Sequence, residues 1–570
     1  MDLEQRSRAV CDDLVAHADL VTRLTPTSGG VVVVADATGV LAERSFGYAD
    51  LERRIPMSEG HAFEIGSISK VFAGLLISQL VDAGVTALDT RVEDVLPWIR
   101  LGAHSGEITL RHLLNHSAGL VAGVDALTDD TDQAWTLRDL ASGEPGQVFH
   151  YSNAGYVVLG LAASALTGLD LSTLVSTRLL APMGMSSSVA AVRHGDRPRL
   201  AVGYQPAVDD RPWIPGDPLA RAPWFEVAAA DGNIAATAAD LARLVMLFLG
   251  EGEVDGRRVL SRGGVARIVE TLSPGGEPVA DPPGCPAVES SRYGLGINVE
   301  SVDGHRCLTH GGGMVGYSTF VLVDVTAGFG AAVLTNANGD GLTAQRLTRW
   351  LHARLAGGDR VLPFPVVDPV VRGRGPSAPA VLPLGRFLGD GPSGGTLEVS
   401  VRSPEDVRLR VDLDGISATL HHAEGGHFLT DHPQLRIHHL DPEVDDGGPR
   451  WVHGPVTFRP AASASAQAAS GASADETPAS WRALEGHYRS FSPWYPHLRL
   501  YVRSGRLWLS APGGVEAPSE PEELVPLGED VFRIGRDPRL PERLWSGPLV
   551  DGHVIHVVRD GCRYSRAFTA

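Results

Sequence analysis

Apolar positions from Ile68 onward fall at Val71, Phe72, Leu75, Leu76 and Leu80, the i, i+3, i+4, i+7 stripe of a buried helix. Gly84 supplies its stop. Amphipathic stretches near residues 153–167, 171–180 and 238–249 predict further helices in a helix-rich span from 105 to 275. Strand patterns flank that span. Residues 29–36 and 41–48 read as two strands joined by a turn at Thr38-Gly39, and 293–300, 306–309, 317–324 and 329–335 as later strands, closed by a helix near 341–356. Two early strands, a helical middle and several late strands predict an α/β (α+β) unit: a mostly antiparallel sheet completed by both ends of the segment, with a helical insertion.

After Pro363 the pattern changes. Residues 383–460 and 481–570 alternate short β-like runs with Gly, Pro and Asp turns. Each of the two segments opens on a similar phrase, Leu384-Gly-Arg-Phe-Leu388 and Leu484-Glu-Gly-His-Tyr-Arg489, which predicts one or two small antiparallel β-barrels. The expected division is 1–362 for the sheet-and-helix unit, 363–460 for one barrel, 461–480 for an Ala/Ser-rich linker and 481–570 for a second barrel. The aromatic run Phe491-Ser-Pro-Trp-Tyr495 reads as a barrel core segment, or else as a lid or docking element.

Composition narrows the partners. A 570-residue chain with 43% hydrophobic and 21% charged residues is ordinary globular material. Its formal net charge of −19 argues against nucleic acid or an anionic membrane as partner. No apolar run approaches the ~18 residues of a membrane span, and the first residues mix both signs of charge without an apolar signal core. Cys11, Cys285, Cys307 and Cys562 show no C-x-x-C spacing and read as reduced thiols, so a cytoplasmic location is expected. There is no H-E-x-x-H, zinc-ligand spacing or Walker loop, and no cofactor or metal is expected. Gly311-Gly-Gly-Met-Val-Gly316 matches a dinucleotide fingerprint but leads into a strand, not a helix. Gly391-Pro-Ser-Gly-Gly395 fits G-x-S-x-G but lacks the strand before it and the helix after it that a nucleophile elbow needs.

The cations carry the chemical signal. Lys70 is the only lysine among 49 Lys+Arg positions. Arginine replaces lysine as a charge but not as a base, because its guanidinium keeps its proton. Ser67 stands three residues earlier, at or near the start of the predicted helix, so hydroxyl and amine share one face. The helix dipole there disfavours an ammonium and favours an oxyanion. A serine beside an amine that can deprotonate is a nucleophile with its base. Tyr151-Ser-Asn153 taken alone reads as a helix start with Asn153 as N-cap, and His310-Gly-Gly-Gly313 as a strand-end histidine followed by a turn.

Taken together and in this order, the three motifs resemble the serine β-lactamase and penicillin-binding-protein superfamily. The likeness is nearest its class C β-lactamase, DD-carboxypeptidase, D-aminopeptidase and esterase branch. It covers roughly residues 20–356 and includes Ile108-Thr-Leu-Arg-His-Leu-Leu-Asn-His-Ser-Ala-Gly119, Ala235-Ala-Thr-Ala-Ala-Asp-Leu-Ala242 and the Thr309–Gly316 turn. The resemblance implies Ser67 as acylated nucleophile, Lys70 as its partner, Tyr151 as base and acid, and Asn153 as the group that orients a substrate amide. It implies an oxyanion hole at the Ser67 and Gly313 backbone amides, with His310, Gly311 and Gly312 lining the pocket. His310 stands where classical β-lactamases carry the lysine of K-T-G, which argues against robust β-lactamase activity. The second half is similar to the lipocalin-like barrels of D-aminopeptidases, which implies that a barrel reaches over the site and limits substrate size.

The expected activity is hydrolysis of an amide or ester through an acyl-enzyme. Alternatives are acyl transfer to an amine, including peptide cyclisation, and a non-catalytic penicillin-binding-like sensor. The expected partners are a small-molecule or peptide substrate and, for assembly, a second copy in a homodimer.

Overall fold

A computed structural model describes residues 2–566 apart from 124–129, 278, 280–284, 338–341, 358–361, 367–381, 391–394, 402–408, 423–425, 446, 462–476 and 516–519. The Ala/Ser-rich stretch therefore lies largely outside the described residues, as does most of Gly391–Gly395. The first unit is built on an eight-stranded antiparallel sheet. Its strand order is Val288–Tyr293, Asn298–Val302, His305–Met314, Tyr317–Asp324, Phe329–Thr335, Gly29–Asp36, Gly39–Asp50, Ile55–Pro56. Early and late strands meet where Val31–Val34 pairs with Ala331–Leu334, so residues three hundred positions apart complete one sheet.

Both faces of the central strands are covered, so they are apolar throughout and not alternating. Val31, Val33, Val321, Val323 and Leu334 pack on one side with the helices Ser69–Asp82, Asn153–Thr167 and Ala238–Leu249. Val32, Val34, Phe320, Leu322 and Val333 pack on the other, under the helices Leu3–Ala16 and Thr343–Ala356. The helices at 153–167 and 238–249 have the bounds their apolar period predicts. Among the described residues no single helix is long and apolar enough to cross a membrane.

Two sequence expectations are corrected. The run 293–300 is not one strand: it breaks at Gly294–Ile297, where Gly294 N donates to Ile297 O at 2.8 Å. Gly296 has φ +94° and lies against the Lys70 carbonyl, so the break nests on the Ser69–Asp82 helix. Likewise, Gly311–Gly313 is not a turn but continues the strand His305–Met314, paired through Gly313↔Ser318; the reversal is Val315-Gly316, with Gly316 at φ +92°.

The second half forms two closed eight-stranded antiparallel barrels, running from Gly385–Gly389 to Val456–Pro460 and from Gly486–Arg489 to Cys562–Arg566. The two echoed phrases are their first strands. The first barrel has a core of its own around Phe387, Trp451 and Phe458. The second shares one continuous apolar cluster with the sheet-and-helix unit. The 491–495 run splits: Tyr495 is barrel core, Trp494 meets Phe225 at 5.4 Å between ring centres, and Phe491 is 100% exposed.

Candidate active site

Ser67 sits in a single 3₁₀ turn, Gly66–Ile68, that runs straight into the helix Ser69–Asp82. Two glycines let that turn touch the strand His305–Met314 backbone to backbone. Gly66 has φ +52°, and a Cβ on it would lie 2.5 Å from Gly313 O; a Cβ on Gly312 would lie 1.9 Å from Ile65 O. Thr319 Oγ1 ties the contact by donating to Ile65 O at 3.1 Å. Gly66 and Gly312 are thus requirements of close approach, whereas a Cβ on Gly311 would meet only the Phe320 ring at 3.6 Å.

One turn along, Lys70 Nζ reaches Ser67 Oγ at 2.8 Å and donates to the Asp231 carbonyl at 3.0 Å. Lys70 is 0% exposed. Its nitrogen lies 4.9 Å from the centre of the Tyr151 ring and 5.5 Å from that of Tyr156, within the range of a cation–π contact. Tyr151, some eighty residues further along the chain, therefore meets Ser67 and Lys70 in one place.

Tyr151 enters from the start of the helix Asn153–Thr167. Ser152, not Asn153, is its N-cap: the Ser152 hydroxyl accepts from Gly155 N at 3.0 Å and donates to Val121 O at 2.7 Å. Asn153 is the first helical residue, and its N–H donates to Ala122 O at 2.7 Å. The Tyr151 ring lies against His116 at 4.2 Å between centres. His116 Nδ1 accepts from Ser152 N at 3.0 Å, so its proton is on Nε2. Phe149, Tyr156 and Tyr293 complete an aromatic box around it, and burial holds its pKa well below the usual histidine value.

His310 is also neutral. Its Nδ1 donates to Gly311 O at 2.6 Å, which leaves Nε2 to accept from the Tyr293 hydroxyl at 2.7 Å. Burial pushes its pKa down to about 3, with the nearby Lys70 charge adding to the shift. Where a K-T-G lysine would present a cation, this position presents a fixed, uncharged imidazole.

The second barrel closes on the same place. Glu542 accepts from Ala122 N at 3.0 Å and from His150 Nε2, gripping the segment that carries Tyr151 and Asn153 and the Ala122 segment that accepts the Asn153 N–H. Val515 lies against Gly313, with its Cγ1 only 2.8 Å from where a Cβ would stand. His116, Tyr293, Asp231 and Glu542 were not foreseen. His116 lies in a phrase quoted only for its family likeness, and the others have no local signal because only the folded chain brings them here. A cavity of 520 Å³ lined by Gly160, Leu161, Asp170 and Arg193 contains none of these residues. The groups with metal-ligating spacing among the described residues, His305–Asp324–His352 and His427–His439–Asp441, also lie apart from Ser67.

The chain is similar to penicillin-binding protein 4 of Amycolatopsis lactamdurans, 28% identical over 342 residues (58% of this chain, 86% of that one). It is similar to penicillin-binding protein 4* of Bacillus subtilis (strain 168), 26% identical over 312 residues (51% and 64%), and to a D-aminopeptidase of Cereibacter sphaeroides, 28% identical over 339 residues (56% and 57%). The match thus spans less than two thirds of the length of these last two. In fold it resembles the octameric penicillin-binding protein homologue from Pyrococcus abyssi, with a TM-score of 0.56 at 20% identity over 80% of this chain and 100% of that one. It also resembles the D-amino acid amidase from Ochrobactrum anthropi SV3, with a TM-score of 0.50 at 22% identity over 62% and 98%. The Beta-lactamase family model matches residues 18–355, a span that holds the whole sheet, the helical insertion and the Ser67, Tyr151 and His310 segments, and the chain belongs to that family of serine hydrolases.

Proposed function

We propose that the protein cleaves an amide or ester through an acyl-enzyme at Ser67, with peptide-like D-amino-acid amides and small esters as its substrate class. The observation that carries this reading is the 2.8 Å contact between Ser67 Oγ and the amine of the chain's single lysine. That separation serves a proton moving from hydroxyl to neutral amine. As the proton leaves, Oγ attacks the substrate carbonyl, and negative charge gathers on the carbonyl oxygen. The backbone N–H groups of Ser67 and Gly313, held together by the Gly66 and Gly312 contacts, are suited to bind that oxygen. Lys70 passes the proton it took on to Tyr151, as Tyr151 hands its own to the departing amine or alkoxide; a water that gives its proton to the same pair then attacks the acyl carbon, and that proton returns to Ser67 Oγ as the acid leaves. Asn153 orients the substrate amide. His310, neutral and locked by Tyr293, offers no charge to a substrate carboxylate, which favours uncharged acyl groups over penicillin-like acids. The similarity to a D-aminopeptidase supports the amide class.

The test is a covalent one. A fluorophosphonate or activated p-nitrophenyl ester should add one acyl or phosphonyl mass, mapped to the Ser67 peptide and absent from Ser67→Ala. An adduct that persists in Ser67→Ala overturns the reading. D- and L-alanine p-nitroanilides, nitrocefin and a D-Ala-D-Ala peptide then sort the substrate class.

A further inference from the structure

On the opposite face of the sheet from Lys70, three metal-ligating side chains converge, His305, Asp324 and His352, with the Cys307 thiol beside them, and the reaction at Ser67 uses none of them. His305 and Cys307 are two residues apart on the strand His305–Met314 and so point to one face. Asp324 is the direct cross-strand partner of Cys307, and the helix Thr343–Ala356 lays His352 over both. His305 Nδ1 and His352 Nε2 stand 2.7 Å and 2.8 Å from the same oxygen, Asp324 Oδ2. Cys307 Sγ is 3.8 Å from that same His352 Nε2.

We propose that His305, Cys307, Asp324 and His352 form a binding site for a zinc-like divalent transition-metal ion, which braces the end of the sheet-and-helix unit.

The arrangement is convergent, not serial. In a Cys–His–Asp relay the thiol and the carboxylate would use opposite nitrogens of the imidazole. Here both face Nε2, which carries at most one proton. Two imidazole nitrogens, a thiol and a carboxylate oxygen are the donors that zinc takes in four-coordinate sites. Tetrahedral bonds of ~2.0–2.3 Å space the donors ~3.3–3.7 Å apart, so the two nitrogens need open from Asp324 by only about half an ångström, while the Cys307 thiol, at that spacing from His352 alone, turns inward to complete the set. The carboxylate is already aimed: Asp324 Oδ1 accepts from Thr326 N at 3.0 Å and Ala327 N at 2.8 Å, leaving Oδ2 for the cluster. Charge also closes. As the metal–sulfur bond forms, the Cys307 thiol gives its proton to solvent, and thiolate plus carboxylate neutralise a dication. Asp324, Cys307 and His352 are buried, while the His305 side chain keeps 30% exposure and gives an ion its way in. Cys307 precedes Gly311 by four residues, ~13 Å along a strand, so this is a brace and not part of the reacting centre. The second group, His427–His439–Asp441, belongs to the first barrel and serves as the comparison.

Metal content of the full chain, purified without a histidine tag from zinc-supplemented medium and desalted, tests the proposal. One equivalent of zinc is expected, lost in Cys307→Ser and His305→Gln but kept in His439→Gln. Asp324 is left untouched because it also holds a turn. Chelation should lower the Tm of the wild type and of His439→Gln, and leave the two site variants unmoved. Cobalt(II) substitution should give a thiolate-to-metal charge-transfer band that Cys307→Ser removes. A wild type that retains no metal and whose Tm ignores added zinc overturns the proposal, and shows the cluster to be an aspartate held between two imidazoles. Zinc kept in Cys307→Ser and His305→Gln but lost in His439→Gln overturns it too, in favour of the barrel group. Neither readout depends on the chemistry at Ser67.

Discussion

Glu542 accepts a hydrogen bond from His150, the residue immediately before Tyr151, across 392 positions of sequence. The same carboxylate holds Ala122 N, and Ala122 O in turn receives the N–H of Asn153. One acid of the second barrel therefore fixes the backbone on both sides of the proposed Tyr151–Asn153 machinery. Glu542→Gln keeps an oxygen for Ala122 but removes the charge that His150 needs. Its expected effect is a fall in kcat of about 10- to 100-fold with KM little changed, since positional errors near an ångström cost rates of that order. An unchanged kcat would mean that the clamp holds the barrel alone.

The pair also sets a pH window for stability. Burial works to lower the His150 pKa, but the Glu542 charge overrides it and raises it above the ordinary 6.5. Burial works to raise Glu542, and the His150 charge and hydrogen bond override it and hold it below the ordinary 4.5. A raised histidine stabilises fully below its unfolded value and loses that contribution as pH rises through its folded one. A lowered carboxylate stabilises above its unfolded value and loses its contribution as pH falls through its folded one. The Tm difference between wild type and Glu542→Gln should therefore be largest from about 4.5 to 6.5 and shrink on both sides. A difference flat with pH contradicts an ion pair.

Gly312→Ala tests the backbone contact under the proposed oxyanion hole. Its methyl group would stand 1.9 Å from Ile65 O, and backbone cannot move aside as a flexible side chain does. The strand and the Ser67 turn must separate, which should cost about 1–3 kcal/mol of stability as overpacking and remove acylation. Gly311→Ala is the control, because a Cβ there meets only the Phe320 ring at 3.6 Å. Equal activity of the two variants would remove the close approach from the mechanism.

Legibility followed locality. The helices at 153–167 and 238–249 could be read because a 3.6-residue apolar period is local information. The barrels announced themselves through a repeated phrase that became the first strand of each. Ser67 and Lys70 were legible for the same reason, being one helical turn apart. Gly311–Gly313 reads as a turn because three glycines in a row look like one, and only the neighbouring Ile65 carbonyl shows why a strand here must lack a side chain at Gly312. Glu542, Tyr293 and Asp231 left no trace in any window, since each reaches the site through tertiary contact alone.

Lys70 admits a direct test of base against charge. Lys70→Arg keeps the charge and loses the base, while Lys70→Met keeps the length and loses both. Each should slow acylation by about 10²- to 10⁴-fold, the usual worth of a general base. They should differ in stability: Lys70 is fully enclosed between Ser67, the Asp231 carbonyl and two rings, so the larger guanidinium should cost about 1–3 kcal/mol, seen as a lower Tm. Release of p-nitrophenol at the wild-type rate by either variant would take Lys70 out of the chemistry.

Val515 lets the second barrel's part in substrate choice be measured. The segment Pro512–Val515 leaves the barrel and rests on Gly313, supported from behind where Gly514 lies on the Trp494 carbonyl and Trp494 packs against Phe225. One wall beside the proposed oxyanion strand therefore comes from the far end of the chain. Trimming it with Val515→Ala removes two methyl groups without touching Ser67, Lys70 or Tyr151. Each methylene of pocket space is worth about 1–3 kcal/mol in discrimination, though partial collapse of the loop reduces this. Val515→Ala should raise kcat/KM for p-nitrophenyl butyrate relative to the acetate by about 10-fold, and Val515→Trp should lower it, with Tm unchanged in the first variant. A chain-length profile that is the same in wild type, Val515→Ala and Val515→Trp would place the barrel outside the acyl pocket and leave Glu542 as its sole influence on the site.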